Sequence, residues 1–282
     1  APAPLEPDLS RRPPVPHSLP ALVLTAAAGL TAGALLVRPT VFAHTVDEGT
    51  RTRCPTCDSP LLGAGPAPYL QLALRRRCGG CAARRAAPVL TAPPADAPLH
   101  AVEGPGTVGP APLVPEALTA FALVGVVAGG ANGWLLAAQV WLALVGSALV
   151  LIDVAVKLLP DLLTAAAAAG TAVLLGAAAA TGGQWAAFGR AAAAAAAVGT
   201  VFLLLALVAG LGLGDVKIAP TLAALLGWHS WTAVYWGVSA GFLLGLLHGS
   251  ALTITARRDR KTDIAFGPAL IVGAISISVL AR

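Results

Sequence analysis

Charge is scarce in this chain. Only 11% of its 282 residues are Asp, Glu, Lys or Arg, against about 25% in soluble domains. That shortage excludes a globular enzyme with a water-facing surface. Methionine is absent and lysine occurs three times against fifteen arginines; since the chain also begins at Ala1, a start upstream is expected. The formal charge is only +5, sits in loops, and has no interleaved aromatic residues. It reads as membrane topology, and no nucleic acid is expected as a partner. What is present is apolar: 57% of residues are hydrophobic and the mean hydropathy is +0.79. The expected fold class is all-α, a polytopic bundle of transmembrane helices in a lipid bilayer.

Apolar segments of ~20 residues suffice to cross a bilayer as helices. Eight stand out, at 19–37, 112–131, 133–152, 161–181, 186–210, 215–229, 232–256 and 263–281. The sixth is short and the fifth rests on the run Ala191 to Ala197. Eight spans put both termini on one side. With the N-terminus outside, 14 of the 18 basic residues fall inside, among them Arg38, Lys157 and Lys217. Only Arg11, Arg12, Arg190 and Arg282 fall outside. Positive charge retained in the cytoplasm selects this orientation. The rival, a twin-arginine signal in "RRPPVPHSLPALVLTAAAGLTAGA", would reverse the first loop and runs against that count.

Three divisions follow: 1–37, a tail and first span; 38–111, a cytoplasmic loop; and 112–282, a membrane domain. The loop holds "RTRCPTCDSPLLGAGPAPYLQLALRRRCGGC". Cys54 and Cys57 form one C-x-x-C pair, Cys78 and Cys81 another. Paired C-x-x-C turns are the pattern of a four-cysteine zinc site. Four thiolates leave no open position, so the zinc expected is structural. Two disulfides or free thiols are the alternatives, the disulfides disfavoured in a reducing compartment. Residues 82 to 112, rich in Pro, Ala and Gly, read as a linker in which His100 and Glu103 are solvated.

Asp153, in "LVLIDVAVKLLPDLLT", lies at the end of the third span, and Asp215, in "LVAGLGLGDVKIAP", follows the fifth. Both ends face the cytoplasm in this orientation. Carboxylates at membrane depth are expensive and mark function. Two held close share a proton. One then serves as general base on a water while the other donates a proton, the chemistry of aspartic proteolysis. Asp161, after Pro160, suits a helix start where a carboxylate caps free N–H groups. Gly212 and Gly214 would let a substrate backbone approach Asp215. Lys157 and Lys217 have two readings: anchors at the interface, or contacts to the substrate and the aspartates. His229, in "GWHSW" with Trp228 and Trp231, belongs to an interfacial aromatic belt. His248 lies within the seventh span and needs a partner across helices.

At these residues the chain resembles bacterial type IV prepilin peptidases. "LIDVAVKLLPDLLT" and "GLGDVKIAPTLAALLGW" are similar to that family's two catalytic-aspartate motifs, and "DIAFGPALIVGA" to its FGP segment. The double C-x-x-C loop also matches. The resemblance implies a membrane aspartic protease of the bacterial inner membrane, with Asp153 and Asp215 as its catalytic pair at the cytoplasmic face. The implied substrate is a prepilin or pseudopilin with a basic leader and an apolar N-terminal helix. Many members also methylate the new N-terminus with S-adenosylmethionine. This chain departs from the family in that region. It has "GLTAGALLVRPTVFAH" in place of G-S-F-L-N-V, and Pro115 intervenes before Glu116 in "PLVPEALTA".

Two other functions fit parts of the pattern. A proton-coupled transporter would use Asp153 and Asp215 as a relay, but transporter carboxylates sit near the midplane beside broken helices. A membrane scaffold would use the cysteine loop alone and tolerate loss of either aspartate.

Overall fold

The computed structural model describes residues 18–45, 49–55, 57–75, 78, 81, 110–111, 113–256 and 266–281, with no side-chain description for 75 and 248–256. The linker with His100 and Glu103, the basic residues Arg76, Arg77, Arg84 and Arg85, the side chain of His248 and the start of the "DIAFGP" segment lie outside the described residues.

The described residues are nearly all helical. Helix α1 spans Leu19–His44, with a π turn at Gly33–Val37. A short helix, α2, at Pro66–Leu70 runs into a second π turn at Gln71–Arg75. Then come α3 (Val114–Ala128), α4 (Gly133–Val156), α5 (Asp161–Gly182), α6 (Trp185–Ala209), α7 (Leu213–His229), α8 (Trp231–Ala256) and α9 (Gly267–Leu280). Helices α1, α4, α5 and α6 are long and apolar enough to cross a membrane. Helices α3 and α9 and the Trp231–Leu247 part of α8 are shorter apolar helices. The chain is a multi-pass membrane protein.

The expected first span ends too early. Its expected bounds are 19–37, yet the helix continues to His44. The reason lies in the backbone. Pro39 has no N–H to return to the Leu35 carbonyl four residues back. The hydroxyl of Tyr69, from α2, donates to that carbonyl instead. The π turn absorbs the irregularity, as such turns do inside α-helices.

Helices α1 and α3 cross closely because two glycines face α3. A Cβ on Gly29 would lie 2.4 Å from the Ala120 Cα, and one on Gly33 2.5 Å from the Glu116 Cα. Small residues four apart let helix backbones touch in a membrane. The second half of α1 then lays Val37 and Val41 on Ala148 and Ile152 of α4.

Helix α7 is the centre of the larger bundle and packs against α5, α6, α8 and α9. Leu222, Leu225, Leu226 and Trp228 are buried in its core. Gly199 of α6 leaves room for the ring of Pro220, which lies 3.0 Å from where its Cβ would be. At the far end of α7, Arg190 of α6 donates from Nε to the Gly227 carbonyl at 2.7 Å. Its Nη2 donates to the Trp228 carbonyl at 2.5 Å and the His229 carbonyl at 3.1 Å. Arg190, expected as a loop charge, therefore satisfies the last carbonyls of a helix, groups that have no partner within it. Trp228 is also placed differently from the expected aromatic belt, being buried in the bundle. Trp134, Trp185 and Trp231, which open α4, α6 and α8, are exposed, as is Trp236 shortly after Trp231.

Candidate functional site

Two helices carry the paired aspartates. Helix α4 extends to Val156, so Asp153 sits in its last turn rather than beyond its end. Lys157 ends the helix in a left-handed conformation, φ 54°, and returns its N–H to the Asp153 carbonyl at 2.8 Å. Asp215 lies in the first turn of α7. The break before it depends on Gly210, whose φ of 71° terminates α6 in the left-handed region that glycine enters without strain.

Both aspartates are buried, each 6% exposed. They converge on one point of α9. A Cβ built on Gly267 would lie 2.8 Å from Asp153 Oδ2 and 3.5 Å from Asp215 Oδ1. The two oxygens are thus separated by no more than the sum of those distances, about 6 Å, within reach of direct electrostatic coupling. Asp153 Oδ2 is buried with no hydrogen-bond partner among the described residues. The arrangement can hold a water or a peptide carbonyl between two carboxylates.

The two glycines expected to admit a backbone differ. Gly212 is exposed, and the nearest atom to its missing Cβ is Asp215 Oδ2 at 3.7 Å. Gly214 is covered: a Cβ there would lie 2.9 Å from Leu159 Cδ1. Leu159, from the α4–α5 loop, is 7% exposed and rests on the turn that carries Asp215. The loop that follows the helix of Asp153 is in this way packed against the turn that carries Asp215.

The two lysines differ as well. Lys217 pairs with Asp161, joining α7 to the start of α5. Asp161 does begin a helix, where its charge suits the dipole, but its carboxylate takes the Lys217 ammonium in place of the expected backbone cap. Lys157 is exposed and makes no ion pair among the described residues. His229 ends α7, its Nε2 buried without a partner and far along the helix from Asp215.

One pair was invisible in the sequence. Arg38, expected as a cytoplasmic loop charge, is 3% exposed. Its Nε donates to Glu116 Oε1 at 3.2 Å, Nη2 reaches the same oxygen, and Nη1 donates to the Pro110 carbonyl at 3.2 Å. The partners are 78 residues apart. A lone arginine at one apolar segment's end and a lone glutamate at another's start were the only signal.

The cysteines form a second centre. Cys54, Cys57, Cys78 and Cys81 bring their four sulfurs within 4.8 Å of one another. Cys54 and Cys81 are 3.6 Å apart and Cys57 and Cys78 3.4 Å, so none is disulfide-bonded. A tetrahedral zinc with bonds of about 2.3 Å places its sulfurs about 3.8 Å apart, so the donor set fits a metal ion. Hydrogen bonding with Ser59 pulls the Cys57 thiol down to about 6, whereas burial pushes those of Cys78 and Cys81 up. Phe42, Leu61 and Leu72 pack around the cluster and tie it to α1.

The model of the type IV leader peptidase family matches residues 137–254, which carry both aspartates. The chain is 32% identical over 225 residues to a prepilin leader peptidase/N-methyltransferase of Aeromonas hydrophila, across 79% of this chain and 69% of that protein. No solved structure matches. Likeness over that much of both chains shows the family: this chain belongs to the type IV leader peptidases and is a membrane protease.

Proposed function

We propose that the chain is an aspartic endopeptidase that removes the basic leader of prepilin-like substrates at the cytoplasmic face of the bacterial inner membrane. The observation that carries this is the convergence of Asp153 and Asp215 on Gly267 from separate helices. A coupled carboxylate pair holds one proton between its members. The unprotonated member takes a proton from water, which attacks the scissile carbonyl. The other supplies a proton to the departing nitrogen. Burial on the bundle excludes bulk water and strengthens both interactions. The rim suits the substrate: Leu158 and Leu213, exposed beside the dyad, offer apolar contact to a substrate helix. Gly212 leaves the approach to Asp215 open, and Lys157 is exposed at the edge, where its ammonium can contact the substrate.

Zinc is the metal we assign to the four cysteines, held by all four thiolates with a structural task. It would supply the cross-link that holds residues 54–81 together. The Aeromonas hydrophila relative is named an N-methyltransferase as well; for S-adenosylmethionine we assign no site on this chain and confine the proposal to proteolysis.

The test is cleavage of a prepilin-like substrate in membranes by the parent, Asp153→Asn and Asp215→Asn. Asn keeps the shape and removes the titrating proton. Each single change is expected to abolish cleavage with insertion unchanged. Normal cutting by either variant would refute the dyad and advance the transporter or scaffold.

A further inference from the structure

Gly267 is one residue past Phe266, at the start of α9. Its neighbours on either side fix it. The Phe266 ring occupies the space a Cβ on Gly245 of α8 would need, 2.4 Å from its Cδ1. The same ring stacks 6.0 Å from Phe242, which is 5.4 Å from Phe202. One turn along, Gly241 of α8 touches Leu270: a Cβ there would be 2.8 Å from the Leu270 Cα. The start of α9 is thus seated on α8 by bare backbone and an aromatic anchor. That seating opposes any retreat from the aspartates.

The side of Gly267 away from α8 faces the dyad. Asp153 Oδ2, the atom nearest to it, is buried and unpartnered. Leu270 N–H already bonds the Phe266 carbonyl at 2.9 Å, and Pro268 has no N–H. Among the described residues, the N–H groups of Gly267 and Ala269 are the donors of this first turn with no partner, the kind that favour a carboxylate at a helix start.

We propose that Gly267 is a positioning residue of the peptidase centre: the bare first turn of α9 is the wall against which Asp153 and Asp215 close. This rests on the peptidase reading above. A methyl group at 267 would meet Asp153 Oδ2 at 2.8 Å, where ordinary contacts begin at 3.4 Å. Because α9 is seated, Asp153 must withdraw by the difference, about half an ångström, and the pair opens. Misplacement on the scale of 1 Å costs about a hundredfold in rate.

The experiment compares the parent, Gly267→Ala and Gly146→Ala. Gly146 lies two turns back on α4 and faces the side chain of Ile271 on α9, so its variant disturbs the same helix pair away from the dyad. Cleavage of a prepilin-like peptide gives kcat and KM. Infrared titration of the carboxyl stretch reports the dyad without any substrate. Gly267→Ala is expected to lose about ten- to a hundredfold in kcat, with KM within about twofold and the dyad titration shifted. Gly146→Ala should leave the titration in place. Unchanged kcat and titration in Gly267→Ala would overturn the proposal, as would equal shifts in both variants. A parent that cleaves nothing, with the titration still moved by Gly267→Ala alone, would sink the peptidase reading and leave the positioning role intact.

Discussion

Breaking the Arg38–Glu116 pair tests how the first helix is held to the rest of the chain. Arg38 makes three contacts, two of them to Glu116 Oε1 and one to the Pro110 carbonyl. Among the described residues Glu116 has no other side-chain partner, since Oε2 is buried without one. Replacing Glu116 by Leu strands a guanidinium that is 3% exposed and keeps one carbonyl. Replacing Arg38 by Met strands a carboxylate, 11% exposed in its side chain, with nothing. Removing one member of a buried pair costs about 3–5 kcal/mol, because a charge is left unpaired. Arg38→Met should stand at the upper end of that range and Glu116→Leu at the lower. The double change, Arg38→Met with Glu116→Leu, leaves no charge behind. Apolar replacement of a whole buried pair is often neutral or stabilising, so the double variant should lie near the parent. Equilibrium unfolding in mixed micelles, run as a double-mutant cycle, measures all four corners. Single changes costing under about 1 kcal/mol, the range of exposed pairs, would refute the burial argument. So would a double variant whose cost equals the sum of the singles, since coupled neighbours do not add.

Two further outcomes are expected. With metal removed by chelation at pH 7, Cys57 should be alkylated first. Its folded value of about 6 makes it largely thiolate there, while burial keeps Cys78 and Cys81 protonated; peptide mass spectrometry reads the order, and equal labelling of the three would contradict it. Leu159→Ala should destabilise by about 2–5 kcal/mol, as buried leucine truncations do, and combining it with Gly214→Ala should recover part of that, because the added methyl enters the vacated space; unfolding of the single and double variants checks the coupling.

Much of the site was legible in the sequence because membrane depth makes carboxylates conspicuous. With only three between residues 117 and 256, Asp153 and Asp215 could be singled out by position alone. The cysteines were legible for a similar reason, since two C-x-x-C pairs leave no thiol unused. What the pattern lacked was contact across distant segments. Composition makes Arg38 a topology charge, and only the fold sets Glu116 against it. Asp161 at a helix start has two uses for its carboxylate, and the proximity of α7 decided for Lys217. Gly214 looked like an opening for substrate, but whether a glycine faces a ligand or a leucine is fixed by tertiary packing. The bounds expected for the first span, 19–37, fall short of where its helix ends. The hydroxyl of Tyr69, thirty residues after Pro39, serves the carbonyl that Pro39 leaves without an N–H, and no local pattern shows that contact.

That last feature bears on how the chain is assembled. A protein is synthesised from its N-terminus, so α1 meets the bilayer before either of its polar partners exists. The Leu35 carbonyl waits for Tyr69, and the Arg38 guanidinium waits for Glu116. Until residues 69 and 116 have been made, neither group has its mature partner, and burying either one alone is costly. The final seat of the end of α1 therefore depends on two residues that are synthesised after it.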